Sequence, residues 1–235
     1  MVNLSPTETR IPPLENGDRL TLPEFERRYS AALHIKKAEL IEGVVYMASP
    51  LRFESHAEPH SDLMGLLWTY KRVTPGVRSG IEPTVRLDEE NEPQPDGVLF
   101  LPQTAGGNVR IAKDDYLEGA PELVVEIAAS SVAIDLHAKK KVYGRNGVRE
   151  YLVWQIFENQ FEWFSLQGDQ YVLLEADGDK IIKSVVFPGL WLTISALQQG
   201  KFQQVMEVLQ AGLNSIEHQA FVQKLAENLG TSSVE

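Results

Sequence analysis

Cysteine is absent from this chain of 235 residues, which excludes a disulfide framework and any thiolate metal site. A reducing compartment is compatible with that, and a cytoplasmic location is expected. No window approaches 18 uninterrupted apolar residues, so no membrane-spanning helix is expected and no membrane partner. The chain does not open on a basic segment followed by an apolar run, which predicts no secretory signal. A basic excess is also missing: 22 Lys+Arg stand against 33 Asp+Glu, a net charge of −11. That argues against a generic nucleic-acid coat. The acidic excess is densest in residues 156–235, which hold 4 basic and 10 acidic side chains. There is no Gly-x-Ser-x-Gly of the serine hydrolases and no Gly-rich phosphate loop of the Walker type. Internal repeats and low-complexity segments are lacking too.

What is present suits a globular protein. Hydrophobic residues make up 43% of the chain and charged residues 23%, ordinary values that allow a sizeable core. Residues 1–19 hold three prolines and little periodicity, and read as a loose arm. Residues 20–200 read as one domain, and 201–235 as a helical C-terminal extension. Thr21-Leu22-Pro23-Glu24 is a capping-box pattern that predicts a helix to about Leu33. Glu39 to Met47 predicts two short strands turning at Gly43. Leu63, Leu66, Leu67 and Tyr70 share one face of a helix predicted over Pro59–Arg72. Short strands are predicted over Pro83–Leu87 and Ile181–Phe187, and three more between Glu150 and Leu174. Phe202–Ala211 and Ile216–Leu229 are amphipathic helices. The sum is an α/β or α+β sheet with helices against it, a β-meander and a helical tail.

The chain is organised around Pro93–Tyr151. Pro95-Asp96 opens the apolar run Gly97-Val98-Leu99-Phe100-Leu101, and Glu126 sits in a second, Leu123-Val124-Val125-Glu126-Ile127. Unbroken apolar runs of this length predict strands buried on both faces. A helix follows from Ser130-Ser131 to about Arg145, and Asp135, Lys139 and Tyr143 share one of its faces. Asp96 and Glu126 are thus expected at the ends of neighbouring strands. Two carboxylates about 4 Å apart repel by about 4 kcal/mol at an effective dielectric near 20, or about three pKa units. One must be protonated, or a cation must join them. Hard oxygen ligands favour Mg²⁺ or Mn²⁺ over zinc. Asp96 after Pro95 is also what a turn contains, whereas a glutamate inside the second run needs a buried partner. Lys139 lies in a run of three lysines that a solvated helix face would also explain. His56 and His60 have the spacing of a helical histidine pair. A zinc protease needs Glu where Ala57 stands, however, and Pro59 interrupts a helix.

Five segments in order carry a resemblance. They are Glu39-Leu40-Ile41-Glu42-Gly43, Pro95-Asp96, Pro121-Glu122-Leu123-Val124-Val125-Glu126-Ile127, Asp135-x-x-x-Lys139-x-x-x-Tyr143 and Gly147-Val148-x-Glu150-Tyr151. Together they resemble the bacterial Uma-type family of the PD-(D/E)XK, or restriction-endonuclease-like, nuclease superfamily, over roughly residues 20–195. The resemblance implies a mixed four-stranded sheet flanked by helices, with an Asp and a Glu binding Mg²⁺ and a Lys assisting the attacking water. Asp96 and Glu126 match the acids. The usual motif puts the lysine two residues after the glutamate, where this sequence has Ala128. Lys139 matches the position on the following helix that Uma-type relatives use. A further acid comes from an earlier element; Glu39 or Glu42 fits, with Glu42 favoured beside the turn. The implied activity is a Mg²⁺-dependent (or Mn²⁺-dependent) endonuclease acting on DNA, as a homodimer. The alternative is a non-catalytic module binding nucleic acid or protein on the same fold.

Overall fold

The computed structural model describes residues 10–231. The expected loose arm and the end of the tail therefore fall partly outside it. Helix α1 (Leu22–Ala31) opens the described fold. Thr21 makes no side-chain cap; Glu24 instead pairs with Arg27 and Arg28. Strands β1 (Ala38–Ile41) and β2 (Val44–Met47) form the expected hairpin. Its two turn residues, Glu42 and Gly43, both have positive φ, 51° and 71°, as the tight primed turn of a two-residue hairpin requires. Helix α1 packs on this hairpin through Phe25, Leu40 and Val45.

A π-helical turn, Phe53–Ala57, runs directly into α2 (Glu58–Val73). Pro59 does not break the helix: it lies in the first turn of α2, directly after the π-helical turn. Then come β3 (Arg78–Ile81), β4 (Val85–Arg86), β5 (Gly97–Phe100), β6 (Arg110–Ile111), β7 (Leu117–Glu118) and β8 (Leu123–Ala128). A second π-helical turn, Ile134–Lys139, leads into α3 (Lys140–Arg145). The meander follows: β9 (Glu150–Gln155), β10 (Gln160–Gln167) and β11 (Gln170–Leu173). Strands β12 (Ile181–Lys183) and β13 (Trp191–Thr193) pair with each other, and α4 (Ile194–Gln198), α5 (Phe202–Leu213) and α6 (Ile216–Thr231) end the chain.

The central sheet has six strands in the order β11-β10-β9-β8-β5-β3. Strands β8 and β9 are parallel and the other pairs antiparallel, so the sheet is mixed, as expected. Strand β8 is buried on both faces. Leu123, Val125 and Ile127 face α2 and the C-terminal helices; Val124 and Ala128 face Tyr143 and Tyr151. Val205, Leu209, Leu213 and Leu225 belong to the same apolar cluster as Leu63 and Leu67, so the C-terminal helices complete the main core. Close approach there needs glycine: a Cβ on Gly212 would collide with the Gly189 carbonyl and the Trp191 ring. Trp154, Trp163 and Phe164 are buried packing residues. Among the described residues no helix is long and apolar enough to cross a membrane.

Candidate active site

Register brings the two central acids together. Gly97 pairs with Val125 in the antiparallel ladder of β5 and β8. Asp96, one residue earlier, thus lies beside Glu126 and Ile127. Asp96 Oδ2 accepts the Ile127 amide at 2.7 Å. Its other oxygen, Oδ1, is 3.4 Å from Lys37 Nζ and 3.5 Å from His56 Nε2. Burial alone would raise the Asp96 carboxyl. His56, Lys37 and the Ile127 amide outweigh it and hold the group well below the usual carboxylate range.

Glu126 is in the opposite condition. Its alternation along β8 turns it toward α3, where Oε1 accepts from Lys139 Nζ at 3.0 Å and from the Tyr143 hydroxyl at 2.9 Å. Burial pushes its carboxyl up to about 8; Lys139 opposes this, while Asp135, Asp96 and Glu39 add to it. Lys139 is only 4% exposed. Its ammonium also lies 2.9 Å from Glu39 Oε1 and 3.6 Å from Asp135 Oδ1. Burial would lower the Lys139 pKa, but the three carboxylates raise it well above the ordinary value.

The π-helical turn supplies this geometry. It places Asp135 and Lys139 on the inner side of the segment, with Tyr143 one turn further on. Such turns recur at functional sites because the extra residue re-aims a side chain. Tyr151 holds the turn from below by donating to the Asp135 carbonyl at 3.0 Å.

Of the expected residues, Asp96, Glu126 and Lys139 come together and Glu42 does not. Glu42 sits on the β1–β2 turn, where it accepts from Lys141 and Arg145. Glu39 takes the inner position, with Oε1 receiving both the Gln94 amide and Lys139. The basic helix face is also largely consumed. Lys139 is buried, Lys140 lies over the Phe164 ring, and Lys141 and Arg145 hold Glu42.

Three contributors were not legible as site residues. Lys37 reaches Asp96 from just before β1. His56 comes from the π-helical turn ahead of α2, and His60 from the first turn of α2. Their spacing was visible, but the π-helical turn that aims them was not. Together with Asp96, their donor atoms lie within 4.8 Å of one another, a group that does not include Glu126.

The donor set is chemically of the kind that a divalent cation takes, although among the described residues only His56, His60 and Asp96 bring three donor atoms within 4.8 Å of one another. Glu39, Asp96, Glu126 and Asp135 face Lys37 and Lys139; with all four carboxylates ionised and His56 neutral the group would carry two formal negative charges, and the raised Glu126 carboxyl shows how strongly the site resists that state without a cation. Asp135 Oδ1 and His56 Nε2 are buried and make no hydrogen bond. Buried charge in this excess is expensive unless a cation offsets it.

The sequence model of one family matches residues 22–195; its description is Uma2, putative restriction endonuclease. The chain belongs to the Uma2 family. No curated protein matches it. A solved structure, that of a putative nuclease belonging to DUF820 from Anabaena variabilis, is similar with a TM-score of 0.56. The identity is 15%, over 77% of this chain and 98% of that one. At that identity the likeness concerns the fold, a mixed sheet flanked by helices. The Uma2 match spans Glu39, Asp96, Glu126 and Lys139, and ends at α4. It leaves α5 and α6 outside.

Proposed function

We propose that this protein is a metal-dependent endonuclease that hydrolyses phosphodiester bonds in DNA. The observation that carries the proposal is that buried Asp96, just before β5, stands in register with buried Glu126 on β8, with Lys139 on Glu126. Membership of a family described as putative restriction endonucleases supports it.

In this reading Asp96 and Glu126 would hold Mg²⁺ or Mn²⁺. Such an ion lowers the pKa of its water and screens the phosphate. Glu39 takes the supporting role for which Glu42 had been favoured. Lys139 fixes the Glu126 and Glu39 carboxylates and faces the charge that develops on the phosphate. Tyr143 holds Glu126 from the second side, and Asp135 balances Lys139. Lys37 is the more open of the two lysines and meets a substrate phosphate once it leaves Asp96. A homodimer would offer one site to each strand of a duplex. Sedimentation showing only monomer at micromolar concentration would reject the dimer. Function in the cytoplasm is part of the same reading.

The competing reading is a binding module without turnover. The net charge of −11 and the enclosure of Lys139 by three acids favour it. Incubating the protein with supercoiled, linear and single-stranded DNA, with and without Mg²⁺ or Mn²⁺, separates the two. Cleavage that needs metal and disappears in Lys139→Ala, with that variant verified as folded, supports the nuclease. Metal binding without cleavage of any form supports the module.

A further inference from the structure

His56 and His60 stand outside the pair of acids that matches the family motif, yet both are prepared as metal ligands. His56 is 8% exposed. Its Nδ1 lies 3.1 Å from the Ile127 carbonyl. A carbonyl can only accept, so Nδ1 carries the proton, and in the neutral ring Nε2 is left as a lone pair. That nitrogen is buried, makes no hydrogen bond and lies 3.5 Å from Asp96 Oδ1, which raises the His56 pKa, so a bound ion would take the place of a proton there. His60 repeats the arrangement. Its Nε2 lies 2.8 Å from the Asp96 carbonyl, which leaves Nδ1 as its unprotonated nitrogen.

One ring N–H donated to a backbone carbonyl, with the other nitrogen left bare, is how proteins fix the tautomer and orientation of metal-binding histidines. The two rings are 5.5 Å apart and steeply inclined, so they do not stack, and a donor nitrogen of each lies within 4.8 Å of the other and of an Asp96 oxygen. Asp96 completes the group with Oδ1, because Oδ2 is committed to the Ile127 amide.

We propose that His56, His60 and Asp96 form a binding site for a divalent transition-metal ion of the zinc and cobalt class, in preference to magnesium. Two imidazoles and one carboxylate suit such ions, whereas Mg²⁺ takes all-oxygen surroundings and keeps its water. Three protein ligands leave a coordination position for water or for a substrate oxygen. The ion has a route in. A cleft of about 430 Å³, lined by Leu51, Ala57, His60, Ser61, Met64 and Trp68, opens beside His60. Lys37 is the internal competitor, since its ammonium occupies the neighbourhood of the same Asp96 oxygen. The site rests on the proposed nuclease reading only in sharing Asp96. It can be tested without substrate.

The experiment is a Co²⁺ titration of the whole protein, free of Mg²⁺ and of substrate, followed by visible absorption and by calorimetry. His56→Gln, His60→Gln and Glu126→Gln are titrated beside the wild type, and each is melted to verify folding. His60 is half-buried, so its variant keeps the test open if His56→Gln does not fold. The proposal expects a Co²⁺ spectrum with nitrogen ligation that excess Mg²⁺ does not erase. It expects each histidine variant to weaken Co²⁺ binding by about tenfold or more, and Glu126→Gln to bind like the wild type. Binding that is equal in the histidine variants, lost in Glu126→Gln or displaced by Mg²⁺ overturns the proposal. Absence of any Co²⁺ binding does so as well. Because Glu126→Gln is expected to lose cleavage and keep Co²⁺, failure of the nuclease reading and failure of this site give different results.

Discussion

The backbone of Ile127 is shared between Asp96 and His56: its amide donates to Asp96 Oδ2 at 2.7 Å and its carbonyl accepts from His56 Nδ1 at 3.1 Å. One residue of β8, next in sequence to Glu126, therefore fixes an acid from the start of β5 and a histidine from the helical layer. A change at Asp96 should separate its structural role from its electrostatic one. Asp96→Asn can still accept the Ile127 amide, whereas Asp96→Ala leaves that buried N–H unpaired. The expected extra loss in Asp96→Ala is about 1–3 kcal/mol, read from denaturant unfolding of the two variants.

Lys139 is the counter-ion of Glu39, Glu126 and Asp135. Lys139→Met leaves those carboxylates buried without a cation, a change expected to cost about 3–5 kcal/mol. The deficit should shrink as pH falls and the carboxylates take up protons. The double variant Lys139→Met, Glu126→Gln should recover part of it. Chemical denaturation at neutral and mildly acidic pH checks both statements.

Glu150 is expected to be structural. Its carboxylate, fully buried, accepts from Trp163 Nε1, Ser184 Oγ and the amides of Val185 and Val186. Glu150→Ala orphans several buried donors at about 1–3 kcal/mol each. Glu150→Gln retains an acceptor and should lose less. Thermal melts of the two variants decide this.

His218 ties α6 to α2. Its Nε2 lies 2.9 Å from Thr74 Oγ1, which itself donates to the Tyr70 carbonyl. Burial lowers the His218 pKa below its ordinary value. The unfolded chain thus takes up this proton first, at about pH 6.5, and the folded state only at lower pH. The contribution to stability is complete above the unfolded value and is lost as pH falls through the folded one. Relative to His218→Gln, the wild type should lose stability progressively as pH falls below about 6.5. Melting curves for both proteins over that range show whether it does.

The buried elements were the legible ones. Val98–Leu101 and Leu123–Ile127 are strands because uninterrupted apolar runs have no other stable place, and β5 and β8 cover most of them. Strand β3 was missed: Arg78-Ser79-Gly80-Ile81 is a half-exposed edge strand with no apolar run. The apolar run Ile181–Phe187 predicts one strand, but β12 stops at Lys183, because the amides of Val185 and Val186 turn to Glu150. That partner is 35 residues away in sequence and invisible to local pattern. The choice of Glu42 over Glu39 went astray for a related reason. Turn residues point outward, and Glu42 meets Lys141 and Arg145 there, while Glu39 on the strand points in. Aim explains the histidines too: spacing of four was readable in His56 and His60, but the π-helical turn ahead of α2 was not.

The central claim is that Asp96 and Glu126 serve metal-dependent phosphodiester hydrolysis. The most direct measurement compares cleavage of supercoiled DNA in Mg²⁺ and in Mn²⁺ by the wild type, Asp96→Asn and Glu126→Gln, all verified as folded. The account predicts cleavage by the wild type that chelation abolishes, and a fall of about a hundredfold or more in either variant. Metal-dependent cleavage that survives undiminished in both variants, or a wild type that cleaves no DNA in either metal, would contradict it.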